Sequence, residues 1–223
     1  DEAHHTVGNV GRVATALDDS NIPAAKRIFM TATPSFLSKT LKEDAEDNDL
    51  IRYSMDDEGV YGPVVHELTF GQAIKQNILA DYVLIKENVT DEEVFKLIQE
   101  NKLAVIEDES IFQKVQNLAK QIAILKTAKD FEIKKMISFH YRKDSAEEFS
   151  KNIVDTHVRL QEKGSNVIES VSASFIEGEH SAKKRDEIIE DFESNEAAFS
   201  LLTNAQVLKE GVDVPVIDSV AFI

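Results

Sequence analysis

The 223-residue sequence has no cysteine, no tryptophan and only four prolines. Without cysteine there is no disulfide framework, no cysteine-ligated zinc finger and no thiol nucleophile. No apolar run reaches the roughly 18 residues that a membrane-spanning helix requires, and the chain does not open on a basic-then-apolar leader. Positive charge is also scarce: 25 Lys and Arg stand against 41 Asp and Glu, for a formal charge of -16. A protein that coats nucleic acid with its whole surface carries the opposite balance. What is left is a soluble chain, expected in the cytoplasm, with 42% hydrophobic residues. Its length suffices for one large domain or two small ones. It begins on Asp1 rather than Met and stops within an apolar, strand-like run, Asp218 to Ile223. We expect a piece of a longer protein.

The texture changes along the chain. Asn9 to Leu17 reads as helix-like, and Lys26 to Met30 as a buried strand running into Thr31-Ala32-Thr33-Pro34, where the proline forces a loop. Residues 43–58 carry eight acidic side chains with a single basic one, Arg52, and read as a solvated loop. Gln72 to Asn77 is helix-like, Tyr82 to Ile85 is a candidate strand, and Thr90 with Asp91 supplies N-cap chemistry for a helix carrying Val94, Phe95, Leu97 and Ile98. From Ser110 to Lys129, the residues Ile111, Val115, Leu118, Ile122 and Leu125 recur at three- and four-residue spacing, the pattern of a core-facing helix.

The last third alternates strand and helix. Strands are expected at Lys135–Phe139, Val167–Ser172, Phe199–Thr203 and Ser219–Ile223, with helices near 144–162 and 181–193. Ser145 and Glu148 have capping-box spacing. Ala146, Phe149, Ile153, His157 and Leu160 form the inward face of the first helix, and Ile188, Ile189 and Phe192 that of the second. Such alternation predicts a parallel, three-layer α/β sheet, whose ligands bind beyond the carboxyl ends of the strands. Thr31 to Thr33, His140, Thr203 and the 204–215 loop all follow a strand in this reading.

Three clusters carry chemistry. Asp1-Glu2-Ala3-His4 places adjacent carboxylates where one can hold Mg²⁺ on nucleotide phosphates and the other can activate water. Thr31-Ala32-Thr33 supplies two hydroxyls. Thr203 through Pro215 contains a hydroxyl, Gly211 and Asp213 at a strand-to-helix turn, a surface suited to phosphate. His66, His157 and His180 show no ligand-like pairing, and His5 has no assigned role. Lys126, Lys129, Lys134, Lys135, Arg142 and Lys143 form a local basic cluster that suits either solvated helix ends or a phosphate backbone. Arg185 stands between the same two readings.

In this order the clusters resemble a superfamily 2 helicase or translocase motor. Asp1 to His4 is similar to motif II, Thr31 to Thr33 to motif III, Ile137 to His140 to motif IV and Thr203 to Pro215 to motif V. Gly178, Arg185 and Phe192 sit at that family's looser Gly…Arg…Phe stretch. Tyr61-Gly-Pro-Val64, Leu68 to Ile74 and Leu79 to Tyr82 resemble the segment bridging the two motor domains in the restriction-enzyme-like branch of DNA helicases. The resemblance implies RecA-like parallel sheets: the end of a first motor domain with its bridge (1–84), a helical connection (85–130) and most of a second motor domain (131–223). It implies ATP and Mg²⁺ as cofactors, DNA rather than RNA as partner, and the remaining parts of the same motor as further partners. Asp1 would hold the metal, Glu2 would be the catalytic base, and His4 with Thr31, Ala32 and Thr33 would couple nucleotide state to movement. Gly211 and Asp213 would face the nucleotide, and Thr203, His140 and Arg185 the nucleic acid.

Two features set limits. The sequence has no Gly-x-x-x-x-Gly-Lys-Ser/Thr (Walker A) loop, and motif VI with its arginine finger would lie beyond Ile223. We therefore expect the parent protein to hydrolyse ATP and the isolated fragment not to. The rival readings are a non-catalytic RecA-like module that pairs with another motor domain and, with no clustered carboxylate-lysine constellation behind it, a metal-dependent nuclease.

Overall fold

The computed structural model describes residues 2–9, 14–47, 52–86, 109–162, 164–205, 207–208 and 214–223. The chain forms two compact units, Asp1–Val83 and Leu84–Ile223.

The second unit is built on a parallel sheet of four strands, β3 (Lys135–Phe139), β4 (Val171–Ile176), β5 (Phe199–Asn204) and β6 (Ser219–Phe222), in the order β4-β5-β3-β6. Pairing is in continuous register, with Lys135 opposite Ser200 through Phe139 opposite Asn204, and Val171 opposite Phe199 through Ile176 opposite Asn204. Neighbouring residues on a strand point to opposite faces, and the core divides accordingly. Met136 and Leu201 join Phe149 and Ile153 of helix α5 (Lys143–Glu162) and Ile124, Leu125 and Ala128 of helix α4 (Glu109–Asp130). Ile137 and Leu202 turn the other way, toward Ile188 and Phe192 of helix α6 (Ala182–Ser194), with Leu208 and Val214. The result is a three-layer α/β sandwich. Its central strand β5 is buried along its whole length.

The inward face predicted for α5 is found: Ala146, Phe149, Ile153 and His157 are buried and Leu160 packs against the same cluster. A buried hydrogen bond from Thr156 Oγ1 to Gln121 Oε1 (2.6 Å) links α5 to α4, so the segment read as a helical connection contributes to the second core. Ser181 caps α6 by accepting the Lys184 amide. Two expectations need correction. The second strand starts at Val171, not Val167, because only Val171–Ile176 finds a full row of partners on β5. The Ser145/Glu148 capping box does not form: helix α5 has already begun at Lys143, Asp144 takes the Ser145 amide, and Glu148 instead receives the Asn152 side chain.

The first unit is less regular. Its described strands are the short antiparallel pair β1 (Gly8–Asn9) and β2 (Arg52–Tyr53). Residues 26–30 were expected as a buried strand but pair with no strand among the described residues, and Ile28 is 79% exposed; a backbone bond from Ala3 N to Met30 O holds the end of this run. The helix expected over 9–17 is reduced, among described residues, to a 3-10 turn at Ala14–Leu17. The acidic stretch is not a plain loop. Helix α1 (Lys39–Asp47) enters it, Lys42 pairs with Asp56 at 2.6 Å, and Asp57 caps helix α2 (Glu58–Tyr61). Helix α3 (Phe70–Lys75) starts on a Thr69/Gln72 capping box. Tyr82 to Ile85, expected as a strand, pair with no strand among the described residues, and Tyr82, Val83 and Leu84 are exposed. The Thr90/Asp91 cap and its helix lie outside the described residues.

Candidate functional site

In the first unit the site grows from one 3-10 turn, Ala3–Thr6. Glu2 precedes it with φ 54°, a left-handed conformation that costs an ordinary L-residue about 1–2 kcal/mol. Such strain collects at functional positions. The turn closes through His5 N to Glu2 O (3.1 Å) and Val7 N to His4 O (3.3 Å). His4 Nδ1 then lies 2.8 Å from Thr31 Oγ1, 3.3 Å from Thr33 Oγ1 and 3.3 Å from Glu2 Oε2. Thr31 Oγ1 also accepts the Thr33 amide at 3.1 Å, which shapes the Thr-Ala-Thr loop. Ala32, between them, is exposed and forms the tip.

So one imidazole nitrogen joins the acidic turn to the hydroxyl loop, 27 residues apart in sequence. The resemblance to the helicase motor groups His4 with Thr31 and Thr33, and the structure places the three side chains in contact. Asp1, expected to hold Mg²⁺, lies outside the described residues. Among the described residues, the hard oxygen donors beside His4 are the Glu2 carboxylate and the two threonine hydroxyls. A carboxylate fits a magnesium ion, which keeps several of its waters.

One contact was not foreseen. Thr6 Oγ1 donates to Ala3 O (2.6 Å) and meets Tyr61 OH at 2.7 Å. Tyr61 packs edge-on against Phe29, and burial raises its phenol pKa above the ordinary value. The turn that carries Glu2 and His4 is thereby tied to the start of the Tyr61-Gly-Pro-Val64 segment. The buried hydroxyl of Thr6, two residues past the acidic signature, was the available signal.

In the second unit a cleft of about 470 Å³ opens beyond the carboxyl ends of β3, β4 and β5, lined by Tyr141, Lys143, Gly178, Arg185, Ala205 and Val207. This is where a parallel sheet places its ligands. The Arg185 guanidinium has no ion-pair partner among the described residues, whereas Lys143 pairs with Glu179 and, at 3.7 Å, with Glu177. Those bonds, Glu179 first, raise the Lys143 pKa and lower that of Glu179. Lys143 and Tyr141 were not singled out for this site; their position just after a strand was the only sign.

Thr203 and His140 take a different place from the one expected. Thr203 is fully buried and its hydroxyl donates to Ala146 O (2.9 Å), with Ser174 O at 3.3 Å. His140 is 4% exposed, with Nε2 3.0 Å from Ser138 Oγ, its ring against Phe149, and Nδ1 buried without a hydrogen-bond partner among the described residues. Burial, helped by the positive Lys120, pushes its pKa down to about 4. Both side chains are enclosed, so each holds the strand ends behind the cleft rather than reaching a ligand directly. Asn204 extends this: its amide donates to Ser138 O (3.0 Å) and its carbonyl receives the Leu208 amide (3.4 Å). Gly211 and Asp213 lie outside the described residues.

Three members of the basic run are engaged within the fold. Lys135 is buried and caps the end of α6, its ammonium 2.6 Å from both Phe192 O and Asn195 O. Lys129 meets Asn166, and Arg142 meets Asp144.

These features define a class first: a RecA-like α/β domain with its cleft at the carboxyl edge of a parallel sheet. Residues 113–223 match the family described as the helicase conserved C-terminal domain, so this part of the chain is similar to the C-terminal motor domain of helicases. The whole chain superposes on the structure titled "ATP-dependent Type ISP restriction-modification enzyme LlaBIII bound to DNA", with a TM-score of 0.71 and 23% identity. That match spans only 15% of the other protein's length. Two Sulfolobus solfataricus SWI2/SNF2 ATPase structures align less well. The C-terminal domain aligns over 60% of this chain and 57% of its own, at TM-score 0.37 and 18% identity. The core in complex with dsDNA aligns over 83% of this chain and 41% of its own, at 0.36 and 16%. No curated protein matches the chain. No helix among the described residues is long and apolar enough to cross a membrane.

Proposed function

We propose that the chain is the central part of an ATP-dependent DNA translocase or helicase of the restriction-enzyme-like branch, coupling Mg-ATP hydrolysis to movement on DNA. The observation that carries this reading is the 2.8 Å bond from His4 to Thr31. It joins the carboxylate turn that would meet nucleotide to a hydroxyl loop that would report on it. In this reading Asp1 holds Mg²⁺, Glu2 takes the proton of the attacking water, and His4, Thr31 and Thr33 transmit the change, with Ala32 at the loop tip. Gly211 and Asp213 face nucleotide from the second domain. Arg185, which has no ion-pair partner among the described residues, meets a DNA phosphate, with Lys143 beside it. Thr203 and His140 serve DNA binding indirectly, by holding the floor of that cleft.

ATP chemistry supplies the energy; the chain's own part is to place a base, a relay and a cation. Because the 223 residues contain no Gly-x-x-x-x-Gly-Lys-Ser/Thr loop, the chain alone has no lysine to cradle the β- and γ-phosphates. The test is DNA-stimulated ATP hydrolysis by the full-length protein, expected to vanish in Glu2→Gln, beside the 223-residue chain, expected to be silent. Activity unchanged by Glu2→Gln in the full-length protein would refute the assignment of the base. A full-length protein with no ATPase at all would leave the non-catalytic module as the better reading.

A further inference from the structure

His5 has no part in the motor reading, yet it stands in a chemically distinctive place. The 3-10 turn brings one ligand atom each from Glu2, His4 and His5 within 4.8 Å of one another. We propose that these three side chains form a binding site for a single divalent transition-metal ion of the zinc type, separate in donor chemistry from any magnesium site.

Four observations point the same way. First, one of the three separations already fits. A tetrahedral zinc with bonds of about 2.0–2.1 Å holds its ligand atoms about 3.4 Å apart. His4 Nδ1 and Glu2 Oε2 already stand 3.3 Å apart. Second, the turn is closed by its own backbone, His5 N to Glu2 O, so the outer ligands are held together before an ion arrives and little chain entropy is lost on binding. Third, two imidazoles and one carboxylate select zinc, copper or nickel over magnesium and calcium, which take oxygen. Fourth, Glu2 and His5 are exposed and His4 is partly so. An ion can enter from solvent and keep a water as its fourth ligand. The two rings are close neighbours, centroids 4.2 Å apart and tilted by 42°.

The site has a built-in consequence. The His4 nitrogen nearest Glu2 is the one bonded to Thr31. Its single lone pair cannot serve a metal while the same atom keeps its contact with the Thr31 hydroxyl. Metal binding through His4 Nδ1 and the His4–Thr31 bond therefore exclude each other. If the coupling role of His4 under the proposed function holds, zinc acts as a brake on the motor; the binding itself does not depend on that reading.

The experiment uses the 223-residue chain stripped with EDTA. Zinc is titrated calorimetrically, and cobalt(II) is added in parallel to read coordination from its visible absorption. We expect one ion per chain, a tetrahedral cobalt spectrum, and no displacement by millimolar magnesium. His5→Asn should weaken zinc binding at least about tenfold and remove the cobalt band, while His66→Asn, at an exposed histidine elsewhere, should change neither. Imidazole NMR signals of the wild-type chain make the test independent of how His5→Asn folds: zinc should move the His4 and His5 resonances first. Absence of zinc binding, an octahedral cobalt spectrum, zinc binding unchanged in a folded His5→Asn, or first movement of other histidines would each overturn the proposal.

Discussion

Thr203→Val is the substitution that best separates packing from contact at the strand ends. It keeps the shape of a fully buried side chain and deletes one hydroxyl, which donates to Ala146 O at 2.9 Å and lies 3.3 Å from Ser174 O. Ala146 is inside helix α5, so its carbonyl keeps its helical partner and is not left bare. The loss is then one short hydrogen bond and one long one, about 1–2 kcal/mol. For a chain of this size that lowers Tm by about 3–6 °C. Urea unfolding of the purified chain should show a lower midpoint with unchanged slope. Affinity for a DNA duplex, measured by anisotropy, should stay within about twofold. A hydroxyl bonded directly to a phosphate would behave in the opposite way. Its removal would cost about 1.5–3 kcal/mol of binding, tenfold or more in affinity, with little change in stability. That result would refute the buried role.

The remaining predictions concern charge. Arg185→Ala should weaken DNA binding about equally across sequences and reduce the slope of log affinity against log salt by about 0.9, as expected for one lost phosphate contact; an unchanged slope would remove Arg185 from the DNA surface. His140 titrates near 4 when folded against 6.5 ordinarily. The unfolded chain therefore takes up a proton that the folded chain refuses, and stability should fall by about 3 kcal/mol as pH drops from 6.5 to 4. His140→Gln should flatten that part of the stability profile. Lys135→Met should cost about 2–4 kcal/mol, because Phe192 O and Asn195 O lose a charged donor inside the protein; calorimetric melting reads it directly.

Much of the second unit was legible beforehand because its strands and helices have regular periods. Met136 and Ile137, or Leu201 and Leu202, are adjacent apolar residues that must face both layers of a sandwich. The start of β4 was misplaced because Val167 and Ile168 look as strand-like as Val171, and only the length of the β5 row decides. In the first unit, the run 26–30 has strand composition but no partner strand among the described residues, and β-propensity without a neighbour does not make a sheet. At the site, His4, Thr31 and Thr33 could be grouped only through the resemblance to the helicase motifs. The enclosure of Thr203 and His140 could not, since a polar residue after a strand is equally suited to the cleft or to the floor beneath it. Lys135 shows the same limit: in sequence it is one more lysine in a basic run, while in the fold it caps a helix.

The account rests most heavily on the link between His4 and Thr31. A double-mutant cycle in the full-length protein tests it directly, using His4→Asn, Thr31→Val and the pair, with DNA-stimulated ATP hydrolysis and translocation rate measured together. The account predicts that each single change leaves basal hydrolysis largely in place but loses stimulation by DNA, and that the double variant is no worse than the singles, because all three break the same connection. Losses that simply add, or DNA stimulation that survives Thr31→Val, would contradict it.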